Sequence, residues 1–195
     1  MTSDHRETEL KFRLIDRDGL ERSLEKHGAV KFSDTMVRTS SFDFLDKRLR
    51  ADRVTVRIRE DNSGVVMTTK TAVSSKKEEE AGLPKIRLEL NLSIASAVDG
   101  TLGALSPWDA ACQYLRNLGM VETLTYVKHR MSWRLPVDGK TLRVDLDGLF
   151  ENQRFYVELE GAEPLIQTAM GILGLERSHI ETRSFYAIVQ AGMDE

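Results

Sequence analysis

The sequence predicts an α+β protein: a sheet with one apolar and one ionised face, and helices on the apolar side. Three observations carry this reading. Six stretches alternate apolar and charged residues with period two. Four others combine helical spacing with start or stop signals. No repeat, linker or low-complexity tract divides the 195 residues, so residues 1–195 read as a single domain.

Successive strand side chains point to opposite faces. In residues 7–13, Leu10 and Phe12 therefore oppose Glu7, Glu9 and Lys11. Residues 16–28 read as a helix, with Leu20 and Leu24 on one face and Gly28 as its stop. In residues 53–59, Val54, Val56 and Ile58 oppose Arg57 and Arg59. Residues 71–84, with Lys76, Lys77, Glu78, Glu79 and Glu80, read as a solvated loop. In residues 86–92, Ile86, Leu88, Leu90 and Leu92 oppose Arg87, Glu89 and Asn91. Ser106, Pro107 and Asp109 then start a helix as cap, first-turn proline and first-turn acid. It runs through Trp108, Cys112 and Leu115, expected in the core, to Gly119. In residues 126–134, Val127, Met131 and Trp133 oppose Lys128, Arg130 and Arg134. Leu142, Val144 and Leu146 oppose Arg143, Asp145 and Asp147, and Phe155, Val157 and Leu159 oppose Glu158 and Glu160. A third helix is expected over residues 164–175 and a short fourth over 184–190.

Composition excludes several classes. With 41% hydrophobic residues recurring throughout, the chain is not disordered. A net charge of −3 argues against a general nucleic-acid coat. No apolar run of 18 residues exists to span a membrane as a helix, and the polar start lacks a signal peptide's apolar stretch. The single cysteine, Cys112, forms no internal disulfide and fits a reducing cytoplasm. His5, His27, His129 and His179 have no ligand spacing.

The ionised positions are sorted by sign. Glu7 stands with Glu9, Asp145 with Asp147 and Glu158 with Glu160, while Arg57 stands with Arg59 and Lys128 with Arg130. Like charges on one strand face repel, so selection for stability alone would mix them. A polyanion bound through metal ions uses both kinds of pair: carboxylates hold Mg²⁺ or Mn²⁺, and arginine and lysine hold phosphate oxygens. If the sheet curls into a barrel, the charged face becomes a lumen. The plain alternative is a solvated sheet whose surface charges pair with one another.

Glu7-Thr8-Glu9-Leu10-Lys11 has the form ExExK. This resembles the opening strand of the CYTH superfamily, the triphosphate tunnel metalloenzymes. Further matches come in the family's order: residues 41–49 with Phe42, Asp43, Asp46 and Leu49; Val56-Arg57-Ile58-Arg59; Thr68-Thr69-Lys70; Arg87-Leu88-Glu89; Lys128-His129-Arg130; Asp145; and Glu158-Leu159-Glu160. The resemblance covers roughly residues 7–160. Two positions depart from it. Asn91 stands where the family often has a second acid, and no lysine follows Lys140, leaving Arg183 as the nearest substitute.

The resemblance implies an eight-stranded antiparallel β-barrel with a charged lumen and helices packed outside. Tunnel strands are expected over about residues 5–160 and C-terminal helices over about 163–192. It implies metal ligands at Glu7, Glu9, Asp145, Glu158 and Glu160 for Mg²⁺ or Mn²⁺. Phosphate contacts are expected at Lys11, Arg57, Arg59, Lys70, Arg87 and Arg130, with Glu7, Glu9 and Lys11 closest to the chemistry. Lys128, Arg143 and Asp147 are weaker candidates; Glu89 is read as a metal ligand or as the group orienting Arg87. The expected partner is a small-molecule triphosphate or polyphosphate, with no nucleic acid and no membrane; a homodimer is compatible with the sequence. The expected activity is metal-dependent hydrolysis of a triphosphate to orthophosphate. The alternatives are a class IV-type adenylate cyclase and a non-catalytic polyphosphate- or nucleotide-binding module.

Overall fold

The computed structural model describes residues 6–94 and 105–193, so His5 lies outside the described residues. The strands are β1 (Arg6–Leu14), β2 (Val30–Asp43), β3 (Val54–Asp61), β4 (Gly64–Ala72), β5 (Lys85–Ile94), β6 (Val121–Val137), β7 (Lys140–Leu149) and β8 (Arg154–Glu160). They form a closed barrel in the order β1-β5-β4-β3-β2-β6-β7-β8, and every pairing is antiparallel. The helices are α1 (Arg17–Lys26), α2 (Arg48–Ala51), α3 (Lys76–Glu80), α4 (Pro107–Asn117), α5 (Glu163–Leu173) and α6 (Phe185–Met193). None of the described helices is long and apolar enough to cross a membrane.

The helices start and stop where local chemistry dictates. Asp16 caps α1 by accepting from the Gly19 amide at 2.8 Å. Ser106 caps α4 through the Asp109 amide at 3.1 Å. Gly174 ends α5 in the left-handed region, φ +66°, which costs glycine little.

Three apolar clusters follow. The largest packs Leu20 and Leu24 of α1 and Ile166, Ala169 and Met170 of α5 on the outer faces of β1, β6, β7 and β8. Leu10, Phe12, Leu135, Leu142, Val144, Leu146 and Leu159 supply the sheet side of it. The second sets Trp108, Ala111, Cys112 and Leu115 of α4 on Phe42, Val56, Ile58 and Val65. The third lies inside the barrel. Leu124, Leu149 and Tyr156 share strand parity with Lys128, Asp147 and Glu158, and Phe185, Ile188 and Val189 of α6 pack on them.

The structure differs from the sequence expectation in four places. β2 was not signalled, because its inward Thr35, Thr39 and Ser41 are neutral and its outward face includes Arg38 and Ser40. The expected loop at 71–84 contains α3, whose Ser75 and Glu78 form a capping box. β5 begins one residue earlier than expected, at Lys85. No described helix covers its outer leucines, and Leu88, Leu90 and Leu92 are 50%, 60% and 55% exposed.

Candidate active site in the charged lumen

The lumen holds a cavity of about 1430 Å³. Glu7, Glu9, Lys11, Arg57, Arg59, Lys70, Arg87, Arg130, Asp145, Glu158 and Glu160 all line it. Strand alternation placed each of them on the inward face, and closure brings the walls together.

Most of these charges are already paired. Lys70 donates to Glu7 at 2.5 Å and to Glu89 at 2.7 Å. Arg130 meets Asp145 at 2.6 Å, Asp147 at 2.7 Å through Nε, and Glu158 at 2.8 Å. Lys11 lies 3.4 Å from Glu158 and donates to the Arg183 carbonyl at 3.1 Å. Lys128 donates to Asp147 at 2.9 Å. The ammonium groups of Lys11 and Lys128 both sit 4.0 Å from the Phe185 ring centre. Arg87 lies 3.4 Å from Glu9.

Arg57 and Arg59 break the pattern. Their Nε atoms are buried and have no hydrogen-bond partner among the described residues. An unmet donor of this kind costs free energy, so two on one strand face mark a place for an acceptor from outside. Burial, then the charges of Arg57 and Arg130, push Arg59 below its ordinary value. An anion would relieve all three effects.

The carboxylates divide by environment. Burial pushes Glu7 up to about 7, with the Glu9 charge adding and Lys70 opposing. Burial also works against ionising Glu89, but the Lys70 charge, the hydrogen bonds from Lys70 and Asn91 and the Arg57 charge together outweigh it and hold Glu89 at about 2. Glu158 is likewise buried, yet Lys11, Arg130 and Lys128 hold it well below the usual carboxylate range. Burial raises Glu160; Arg143 opposes this and the Asp145 charge adds to it.

The five carboxylates expected as metal ligands share the lumen without forming one cluster. Among the described residues, no three of His, Cys, Asp or Glu are placed to hold a metal ion unaided. Asp145 is engaged by Arg130 and by Arg143 at 2.9 Å, and Glu158 by Arg130 and Lys11. Glu9 and Glu160, however, face each other across β1 and β8. Opposed like charges destabilise a strand pair, and a cation between them would offset that. Mg²⁺ takes one or two carboxylates together with substrate phosphates. The Glu9–Glu160 pair, all oxygen donors, fits that requirement, with Glu7 two residues along β1.

Several lumen groups were missed or misread in the sequence. Lys85 lines the cavity with Arg87 and Glu89; the one-residue error in the start of β5 hid it. Glu89 does not orient Arg87. It accepts from Lys70 and from Asn91 at 2.8 Å. Asn91 in turn accepts from Thr68 at 2.7 Å, so it bridges β4 and β5 where an acid would add charge. Arg183 precedes α6 and its guanidinium pairs with Glu181 at 2.7 Å. Asp147 is fully buried, paired with Lys128 and Arg130, which line the cavity.

A closed antiparallel barrel lined by acids and by bases, two of them with unmet donors, defines a barrel protein with a charged lumen. Residues 5–179 match the CYTH domain, and the chain belongs to that family. Solved structures share the fold. A Vibrio parahaemolyticus protein provisionally named an adenylate cyclase aligns with TM-score 0.70 and 17% identity, over 96% of this chain and 99% of that one. The PH1819 protein of Pyrococcus horikoshii aligns with TM-score 0.70 and 20% identity, over 95% and 99%. A Hippeastrum protein, provisionally an adenylyl cyclase and described as having a dominant triphosphatase activity, aligns with TM-score 0.59 and 18% identity, over 95% and 96%. At these identities the likeness concerns the fold. No curated protein matches the chain significantly.

Proposed function

We propose that the chain is a metal-dependent triphosphatase acting on an inorganic or small organic triphosphate. The observation that carries this reading is the pair of buried, unpartnered guanidinium donors on Arg57 and Arg59, facing the same cavity as the Glu9–Glu160 pair. Water adds to the terminal phosphorus, the bond to the bridging oxygen breaks, and orthophosphate and the shortened phosphate leave. Arg57 and Arg59 hold the phosphate oxygens and spread the charge that develops there. Lys11 and Arg87 hold the remainder of the phosphate chain from β1 and β5. Glu7, which lines the same cavity two residues along β1 from Glu9, is the carboxylate placed to take the water's proton. Mg²⁺ or Mn²⁺ on Glu9 and Glu160 would neutralise phosphate charge as a Lewis acid.

The test is phosphate release from inorganic triphosphate, ATP and thiamine triphosphate with Mg²⁺, with Mn²⁺ and with chelator. Metal-dependent release that is lost in Glu9→Gln is the expected result. Cyclic AMP and pyrophosphate from ATP would replace hydrolysis by the cyclase reading. Tight triphosphate binding without turnover would leave a binding module.

A further inference from the structure

Lys85 opens β5 and is only 6% exposed. It shares strand parity with Arg87 and Glu89, so its side chain points into the lumen, where it lines the cavity. Its strand partner is Glu9, but the Glu9 carboxylate is held by Arg87 at 3.4 Å. The next acid, Glu79, accepts from Arg53 at 2.8 Å and from Ser74 at 2.7 Å. Among the described residues, no carboxylate lies within ion-pair distance of the Lys85 ammonium. Lys11 and Arg87 repel it, and Glu9 and Glu79 offset them only in part. Burial, then repulsion from Lys11, with Arg87 adding, pushes Lys85 down to about 8.

A buried ammonium among other cations opposes folding. Such a group persists where function uses it. Lys11, Lys85 and Arg87 line the β1 and β5 walls, and β4 separates them from Arg57 and Arg59 on β3. We infer that Lys85 contacts a phosphate of the bound polyanion, completing with Lys11 and Arg87 a second basic subsite on β1 and β5, one strand away from Arg57 and Arg59 on β3. The polyphosphate chain then runs along the β1-β5-β4-β3 side of the lumen. This inference rests on the triphosphate reading above.

The experiment compares wild type, Lys85→Met, Lys85→Arg and Arg57→Ala, with inorganic triphosphate as the probe. Thermal unfolding of the free protein and calorimetric affinity for the probe in Mg²⁺ are both measured. Lys85→Met is expected to unfold at the same or a higher temperature than wild type, yet to bind the probe about 10- to 100-fold more weakly. Lys85→Arg is expected to recover most of the affinity. A structural role predicts the reverse: a lower unfolding temperature and no rescue by arginine. Unchanged affinity in Lys85→Met, with Arg57→Ala still weakened, overturns the role of Lys85 and leaves the triphosphate reading standing. A wild type that does not bind the probe overturns both.

Discussion

Two lumen arginines of similar sequence context do different work. Arg130 touches three buried carboxylates, and their charges hold its guanidinium well above its ordinary value despite burial. Replacing Arg130 with methionine removes one cation from each of those acids, leaving Arg143, Lys128 and Lys11 to hold them, and should cost up to about 3–5 kcal/mol, read by chemical denaturation. Arg57 has an unmet Nε and no such duty. Arg57→Ala should leave the unfolding temperature of the free protein within a degree or two, while triphosphate affinity falls about 10- to 100-fold by calorimetry. Both residues looked like phosphate contacts in the sequence, since each belongs to a basic pair on a strand. The difference lies in register: Arg130 stands opposite Asp147 on β7, whereas Arg57 stands between Ser41 and Thr68. Period two tells which face a residue occupies and is silent about what stands across from it.

At the scale of elements, burial separates strands that look alike. Leu146 on β7 is fully buried beneath α1 and α5, and Leu146→Ala should cost about 2–5 kcal/mol in urea denaturation. Leu90 on β5 alternates just as regularly but is 60% exposed, so Leu90→Thr should stay within about 0.5 kcal/mol of wild type in the same assay. The sequence showed both leucines as apolar-side residues. It did not show where helices would dock, because that depends on contacts between segments far apart in the chain. α1, α4 and α5 were legible through their caps and spacing, and six strands through alternation. β2 was not, since neutral residues on its inner face erase the contrast between its sides. β4 was legible only through the family resemblance around Lys70.

At the scale of the whole molecule, barrel closure converts separate charged faces into one electrostatic unit. Lys85 and Lys128 both titrate at about 8 in the folded protein, chiefly because burial disfavours their charge. Unfolded lysines titrate near 10.5, so between about 8 and 10.5 the unfolded chain binds more protons than the folded one. These two groups therefore make the free protein gain stability as pH rises through that range. The proposed phosphate contact of Lys85 needs its ammonium charged, so triphosphate binding should weaken over the same interval. Thermal shifts measured with and without inorganic triphosphate from pH 7 to 10 should converge as pH rises. A gap that holds constant would show that Lys85 does not meet the ligand.

The first strand of the barrel is also its last to be enclosed. β1 carries Glu7, Glu9 and Lys11, but its neighbours are β5, at Lys85–Ile94, and β8, at Arg154–Glu160. During synthesis β1 waits with both edges unpaired until β5 is made and with one edge open until β8 is made, exposed to mispairing with any strand that appears first. The ribosome must pass residue 160 before any lumen exists, so a nascent chain shorter than that carries the acids and bases of the site without a site.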